Sequence, residues 1–306
     1  MASQMGPSPV VAELDPQVDK QERDATLWGD VWKKLRRDKR FLIAATLILI
    51  FLLMGAVPQL FTHADPRQCD ILKFAQRPSR HLWFGRDILG CDYYARVIYG
   101  ARTSLIVGLV TSASTITIAL IFGSIAGYFG GVPDAIIMRI ADVWFSIPTI
   151  LGAILLLTLI HGSGPLIVAF VLILFGWPDI TRLVRASVVS GKERGYVRAS
   201  RALGASNRYI LAKHVLPNGI APLFIYGAYG VGAAIGGEAG LTFLGVGLRL
   251  PTISWGLQIA VAQDRFFEFP HLLFFPSLFL SVLIGAFILL GETLRDALDP
   301  RVFGSA

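Results

Sequence analysis

The sequence predicts an all-helical protein that crosses a membrane six times. Of the 306 residues, 54% are hydrophobic and 16% are charged, whereas about 25% are charged in an ordinary soluble domain. The apolar residues also gather into six stretches, each near the length of about 20 residues that a helix needs to span a bilayer. A soluble globule has no place for this much apolar surface, and the low cysteine count argues against a disulfide scaffold.

The first stretch is the clearest of the six. Residues 41–60 contain no charge, and they lie too far into the chain and run too long for a cleavable signal peptide. The other five stretches are 103–129, 135–160, 166–186, 220–238 and 271–290. An even number of crossings places both termini on the same side of the membrane.

The distribution of Lys and Arg predicts which side that is. With cytoplasmic termini, nineteen basic residues lie inside and nine outside, as the positive-inside rule favours, although seven of the nine fall in one outer loop. The net charge of +7 would suggest nucleic acid in a soluble protein. Here it follows from basic residues retained in the cytoplasm, so no nucleic-acid partner is expected.

The segment before the first stretch predicts an amphipathic helix. Leu27, Val31 and Leu35 recur every four residues, with Trp28 and Trp32 beside them and basic residues opposite. This pattern favours a helix lying in the inner membrane interface. A plain solvated basic tail is the alternative.

Motifs for enzymatic chemistry are missing from the sequence. The only Gly-Lys pair, at Gly191 and Lys192, is followed by Glu193 and lacks the upstream glycine spacing of a phosphate-binding loop. The five histidines form no HExxH motif, and there is no GxSxG sequence. We therefore expect no catalytic residue, metal or cofactor in this chain.

Two cysteines lie in the first outer loop together with two histidines. The gaps between His63, Cys69, His81 and Cys91 match no compact zinc pattern, although a metal site is conceivable. A Cys69–Cys91 disulfide suits the oxidising side of the membrane. Two unpaired thiols are the third interpretation.

Ionisable residues near the predicted spans are functional candidates by default. Arg139 and Asp142 are three residues apart and are expected to pair on one helix. Glu238 follows a glycine-rich span and adjoins an irregular segment, so it is either a gating residue or a helix-end packing residue. Glycines at four-residue spacing, such as Gly123 and Gly127, predict close helix packing within the bundle or against a second membrane subunit.

The most informative segment is the basic loop between the fourth and fifth spans, residues 191–218. Small side chains at Ala199, Ala202 and Ala205 and a turn at Gly204 predict a short helix that lies across the inner surface and that a partner can cover closely. The loop ends in Leu216-Pro217 before the next span.

This loop resembles the EAA loop of ABC-importer permeases, whose coupling helix docks on an ATPase subunit. The resemblance is carried by Arg198-Ala199-Ser200, Gly204 after three residues, and His214-Val215-Leu216-Pro217 after nine more. Arg198 stands where an acidic residue is common, and Ser200 replaces the second alanine. The residues that the resemblance assigns to ATPase coupling are Arg198, Ala199, Ser200, Gly204, Ala205, His214, Leu216 and Pro217.

Three further blocks narrow the resemblance to the C-type permeases of dipeptide, oligopeptide and nickel importers. These blocks are residues 84–108, 238–256 and 291–301. Cys91 stands where the family usually has Arg. The domains expected are a cytoplasmic segment 1–40, the first span and outer loop 41–102, a permease core 103–292 and a cytoplasmic tail 293–306. The core contains a coupling loop, 190–218, and an outer lid segment, 239–270. The candidates for gate or lid residues are Glu238, just before this segment, and Arg249 and Trp255 within it.

The resemblance implies the ABC importer type I permease fold in the bacterial cytoplasmic membrane. The implied partners are a second homologous permease, two ATP-binding subunits that hold ATP and Mg, and an extracytoplasmic substrate-binding protein. The expected cargo is a short peptide. A nickel chelate or another small solute is the alternative cargo, and a passive channel or membrane scaffold is the alternative class.

Overall fold

The computed structural model describes residues 27–160 and 162–298, and its regular structure is helical apart from three isolated β-bridges in the outer loop. The helices of this part are α1 (Leu27–Arg37), α2 (Lys39–Ala56), α3 (Tyr93–Phe129), α4 (Gly131–Phe145), α5 (Thr149–Leu159), α6 (Pro165–Lys192), α7 (Gly195–Ala202), α8 (Asn207–Ile210), α9 (Leu216–Gly219), α10 (Ala221–Phe243), α11 (Trp255–Ala262) and α12 (Pro270–Leu298). A π-helical turn, Leu211–Val215, joins α8 to α9. The predicted all-helical class is confirmed.

Four helices of the described chain, α2, α3, α6 and α12, are long and apolar enough to cross a membrane. The pair α4 and α5 meets the same test only together, as one bent unit. Helix α10 has 23 residues, but six of them are glycine and one is Glu238, so it falls short in hydropathy. The count by length and composition is therefore four or five, and the predicted six crossings are not confirmed.

The third predicted span, 135–160, is not one straight helix. Its two parts, α4 and α5, meet at 83° across a break that contains Pro148. Proline lacks the backbone N–H that would continue the hydrogen-bond ladder, which explains why the helix ends there.

Ion pairs fix α4 against α6. The Arg185 guanidinium donates to both carboxylate oxygens of Asp134 at 2.5 Å, and Arg182 donates to Asp142 at 2.9 Å. The expected pairing of Asp142 with Arg139 is therefore wrong, because a longer-range partner on the neighbouring helix takes its place.

Close backbone contact joins α3 to α6. A Cβ atom added at Gly123 would lie 2.6 Å from Cβ of Val184, and one at Gly127 would lie 2.8 Å from the carbonyl oxygen of Arg185. These two glycines therefore serve packing within the bundle.

Helix α1 is present as predicted, and part of its apolar face packs against the protein. Val31 and Leu35 are buried against Ala297 near the end of α12. Arg40 links the same regions because it donates to Asp38 at 3.0 Å and to Asp296 at 2.9 Å, and its hydrogen bond lowers the pKa of Asp38. The packing involves residues far apart in the sequence, so periodicity could not reveal it.

The end of the bundle that carries the first outer loop has its own aromatic core. Trp255 is fully buried between Phe51 and Phe279, and its indole N–H donates to the carbonyl oxygen of Val97 at 2.8 Å. Helix α3 begins ten residues before the predicted span, where Asp92 caps it by accepting from the Ala95 N–H at 2.9 Å. This core positions the outer loop and the outer lid segment.

Candidate functional site

The predicted coupling helix is α7, which lies between α6 and a short helical turn. Leu203 and Gly204 form the turn after α7, and Gly204 has φ +83°, a conformation that favours glycine. The Ser206 hydroxyl then caps α8 by accepting from the Tyr209 N–H at 3.3 Å. The sequence thus produces two short helices separated by a turn at Gly204.

Buried aliphatic side chains anchor this loop to the bundle. Val197 of α7, Ile210 of α8 and Val215 of the π-helical turn are each almost fully buried in one cluster with Val184 and Val188 of α6. Their contact removes apolar surface from water on both sides. The loop is therefore packed against the adjoining ends of the long apolar helices.

The opposite side of the loop is open. Leu203 is 89% exposed, Ala199 is exposed, and a Cβ atom added at Gly204 would have no neighbour within 4 Å. A large apolar side chain next to small residues suits a surface that a partner covers. Arg198 is also exposed and pairs with Glu193 at 3.3 Å, so its charge is partly matched within the loop.

His214 connects the parts of the loop. Its Nε2 atom lies 3.4 Å from the Ser200 hydroxyl of α7, and its ring lies edge-on to that of Tyr209 in α8, with 5.5 Å between centroids. Tyr128 at the inner end of α3 donates to Asn207 at 3.0 Å and holds α8 from the other side. Neither Tyr128 nor Asn207 can be predicted from the sequence, because no local spacing relates α3 to this loop.

The remaining loop residues lie where the chain returns to the membrane. Leu216 is half-buried and Pro217 is exposed in the first turn of α9, where a proline needs no N–H partner. Ala205 is half-buried beside the turn. The eight assigned residues therefore share one loop, with Arg198 and Ala199 outward and Ser200 and His214 joined inside it.

The outer gate or lid candidates separate into different environments. Glu238 is fully buried near the end of α10 and accepts from the hydroxyls of Ser104 at 3.3 Å, Thr242 at 3.0 Å and Ser254 at 3.1 Å. Arg249 is exposed, whereas Trp255 is part of the outer core. Of the three, Arg249 alone is exposed.

The two cysteines are joined by a disulfide in the outer loop. The Cys91 N–H donates to the Asp87 carboxylate at 2.8 Å, and Arg96 of α3 pairs with the same carboxylate in a buried ion pair. The disulfide therefore ties the outer loop to the start of α3, which Asp92 caps. Both sulfurs are used in this bond, so neither is available to a metal.

Comparisons with known proteins agree with this architecture. Residues 119–304 match the family described as binding-protein-dependent transport system inner membrane component. Residues 26–78 match the N-terminal TM domain of oligopeptide transport permease C.

Relatives of known name match over nearly the whole chain. The oligopeptide transport system permease protein OppC of Bacillus subtilis is 34% identical over 92% of this chain and 92% of its own length. The dipeptide transport system permease protein DppC of the same species is 38% identical over 89% of this chain and 85% of its own length.

A solved structure supports the fold. The inward-facing MetNI methionine ABC transporter matches with a TM-score of 0.53 at 20% identity, over 66% of this chain and 96% of the MetNI chain. The family match and these relatives lead to one conclusion: this chain belongs to the family of inner membrane components of binding-protein-dependent ABC transport systems.

Proposed function

We propose that this chain is a membrane permease subunit of an ATP-driven importer that moves short peptides into the cytoplasm. The observation that carries the proposal is the similarity to oligopeptide and dipeptide permeases along nearly the full chain. Each alignment covers most of this chain and most of the relative, so the similarity is not limited to one segment. Peptides are the cargo class that these two relatives are named for.

The coupling loop supports the ATP-driven mechanism. Helix α7 and the exposed Leu203 that follows it offer a docking surface, while the buried Val197 and Val215 tie that surface to α6 and α10. A displacement of α7 would therefore move the spanning helices together with it. ATP and Mg belong to separate ATP-binding subunits in this proposal, since the sequence has no phosphate-binding loop.

The proposed topology has six crossings with both termini in the cytoplasm. The first four are α2, α3, the bent pair α4 with α5, and α6, followed by α10 and α12. Helix α10 is weakly hydrophobic, which a membrane tolerates where a helix faces protein or a water-filled path. A second homologous permease would supply that surface, and an extracytoplasmic binding protein would deliver the peptide to the outer side.

The test is uptake by the reconstituted transporter. Proteoliposomes that hold this chain with the permease, ATPase and binding-protein subunits of its gene neighbourhood should accumulate a labelled dipeptide when ATP is present. Accumulation of a nickel chelate but no dipeptide would overturn the cargo. Solute flux through this chain alone, without an ATPase, would favour the passive channel.

Copurification separates the importer from a membrane scaffold. An ATPase should copurify with this chain and be lost when Leu203 is replaced by Glu, because the charge would lie in an apolar docking surface. The matched control is Leu72→Glu, on an equally exposed leucine of the outer loop. A homo-oligomer without ATPase would contradict the importer.

A further inference from the structure

An open cavity of about 690 Å³ lies at the outer end of the molecule, between the first outer loop and the outer lid segment. The side chains that line it include those of Gln59, His63, Asp65, Arg67, Tyr99 and Thr252. This size falls within the range of about 300–1,000 Å³ typical of small-molecule sites. The cavity is distinct from the coupling loop, which lies at the other end of the bundle.

Opposite charges line this cavity without neutralising each other. One carboxylate oxygen of Asp65 accepts from the Arg67 backbone N–H at 2.8 Å, and that bond does not use the Arg67 guanidinium. Among the described residues, the Arg67 and His63 side chains make no ion pair. Arg102, the other cation here, donates instead to the carbonyl oxygens of Gly55 and Ala56 at 2.8 and 2.9 Å. An acidic group and a basic group therefore remain available to a ligand.

The chain segment 62–69, which forms the charged wall of the cavity, is fixed at both ends. On one side, the Thr62 N–H donates to the carbonyl oxygen of Pro58 at 3.1 Å, and the Thr62 hydroxyl accepts from the Ala64 N–H at 3.2 Å. On the other side, the Cys69–Cys91 disulfide ties the loop to the start of α3. A wall fixed in this way loses little conformational freedom when a ligand binds.

We propose that this cavity is a receiving site for the two charged ends of a short peptide on its way from the binding protein to the membrane path. Asp65 accepts the terminal ammonium group. Arg67, with His63 in the lining of the same cavity, binds the terminal carboxylate, to which a guanidinium donates two parallel hydrogen bonds. The half-buried Tyr99 ring supplies an apolar surface for a side chain. The inference deepens the proposed peptide import and rests on it.

Site-specific photo-crosslinking tests contact directly. A benzoylphenylalanine at position 59 or 252, in the complete transporter with its binding protein, should crosslink to radiolabelled alanyl-phenylalanine. The same probe at Leu72, which is 91% exposed on the same loop but outside the cavity, is the control. Equal labelling at position 72 and within the cavity would overturn the proposal. Crosslinks to the binding protein in place of peptide would also overturn it and would identify a protein-docking surface.

Charge-removing variants test the assigned roles. Arg67→Gln and Asp65→Asn should each reduce the crosslink at position 59 and raise the KM for dipeptide import about fivefold at saturating binding protein, with kcat unchanged, because an exposed charge-assisted hydrogen bond is worth about 1 kcal/mol. Arg80→Gln, on the same loop outside the cavity, should change neither value. Unchanged KM and crosslinking in both cavity variants would refute the site. Peptide import by the wild-type transporter, measured first, separates this failure from a failure of the proposed function.

Discussion

The Ser254 hydroxyl donates a hydrogen bond to the buried carboxylate of Glu238 at 3.1 Å, and the same hydroxyl accepts the Leu257 N–H at 3.1 Å to cap α11. One side chain thus joins the end of α10 to the outer lid segment. The Thr242 hydroxyl acts in parallel, because it donates to Glu238 at 3.0 Å and accepts from the Leu248 N–H at 3.1 Å. Glu238 is therefore the point at which the lid segment is fastened to the bundle.

Removal of the Glu238 carboxylate should destabilise the outer end of the protein. Glu238→Ala leaves three buried hydroxyls without their acceptor, at a cost of about 1–3 kcal/mol for each unsatisfied group. We expect a clearly lower thermal unfolding midpoint of the purified transporter and a loss of import. Glu238→Gln, which keeps the shape and one acceptor oxygen, should lie between Glu238→Ala and the wild type. An unfolding midpoint for Glu238→Ala equal to the wild type would contradict this assignment.

Trp255 should behave as a core residue and not as a contact for the binding protein. Trp255→Phe loses the hydrogen bond to Val97 at a cost of about 1 kcal/mol, whereas Trp255→Ala also opens a cavity and costs about 3–5 kcal/mol. The measurement is thermal stability in detergent together with binding-protein affinity. A variant that keeps full stability but loses affinity for the binding protein would contradict the core assignment and would show that Trp255 contacts the binding protein.

The ion pair between α4 and α6 should be required for assembly of the bent unit. Asp134→Arg leaves Arg185 beside a like charge, so we expect lower amounts of folded protein in the membrane and little import. The double variant Asp134→Arg with Arg185→Asp restores opposite charges and should recover part of both. Equal defects in the single and double variants would show that the pair does not hold these helices together.

The disulfide should protect the outer loop from proteolysis. The bond encloses Lys73 and Arg80, which are exposed trypsin sites. Reduction, or the variant Cys69→Ser, removes a constraint typically worth about 2–4 kcal/mol, so cleavage within residues 70–90 should become faster. Cleavage inside the cytoplasmic loop 190–218 serves as the reference and should not change. Maleimide labelling of both cysteines before reduction would contradict the bond.

Local sequence patterns were sufficient for the helical class of the fold and for the short helix and turn within residues 191–218. The apolar stretches predicted helices at nearly the right places, and the turn at Gly204 lies where the small residues and glycine indicated. The early start of α3 at Tyr93 was not foreseen, because the cap at Asp92 and the aromatic core around Trp255 depend on residues far apart in the chain.

The site could be predicted only where its residues are close in sequence. The loop containing Ser200 and His214 was recognised from its spacing, but the support from Tyr128 was not. The same limit applies to Asp142, whose partner is on another helix, and to Glu238, whose three hydroxyl donors come from α3, α10 and the outer lid segment. Long-range contacts of this kind leave no periodic signal in one sequence.

Transmission of work through α7 is the central claim, and position 204 tests it most directly. Gly204→Val places a β-branched side chain at φ +83° on the open side of the loop, where it both strains the backbone and obstructs a docking partner. Gly204→Asn, which tolerates this backbone conformation better, is the matched control. The measurement is ATP-dependent dipeptide uptake per membrane-inserted transporter. The account predicts that Gly204→Val inserts normally but loses most uptake while Gly204→Asn retains more of it, and normal uptake by Gly204→Val would contradict the account.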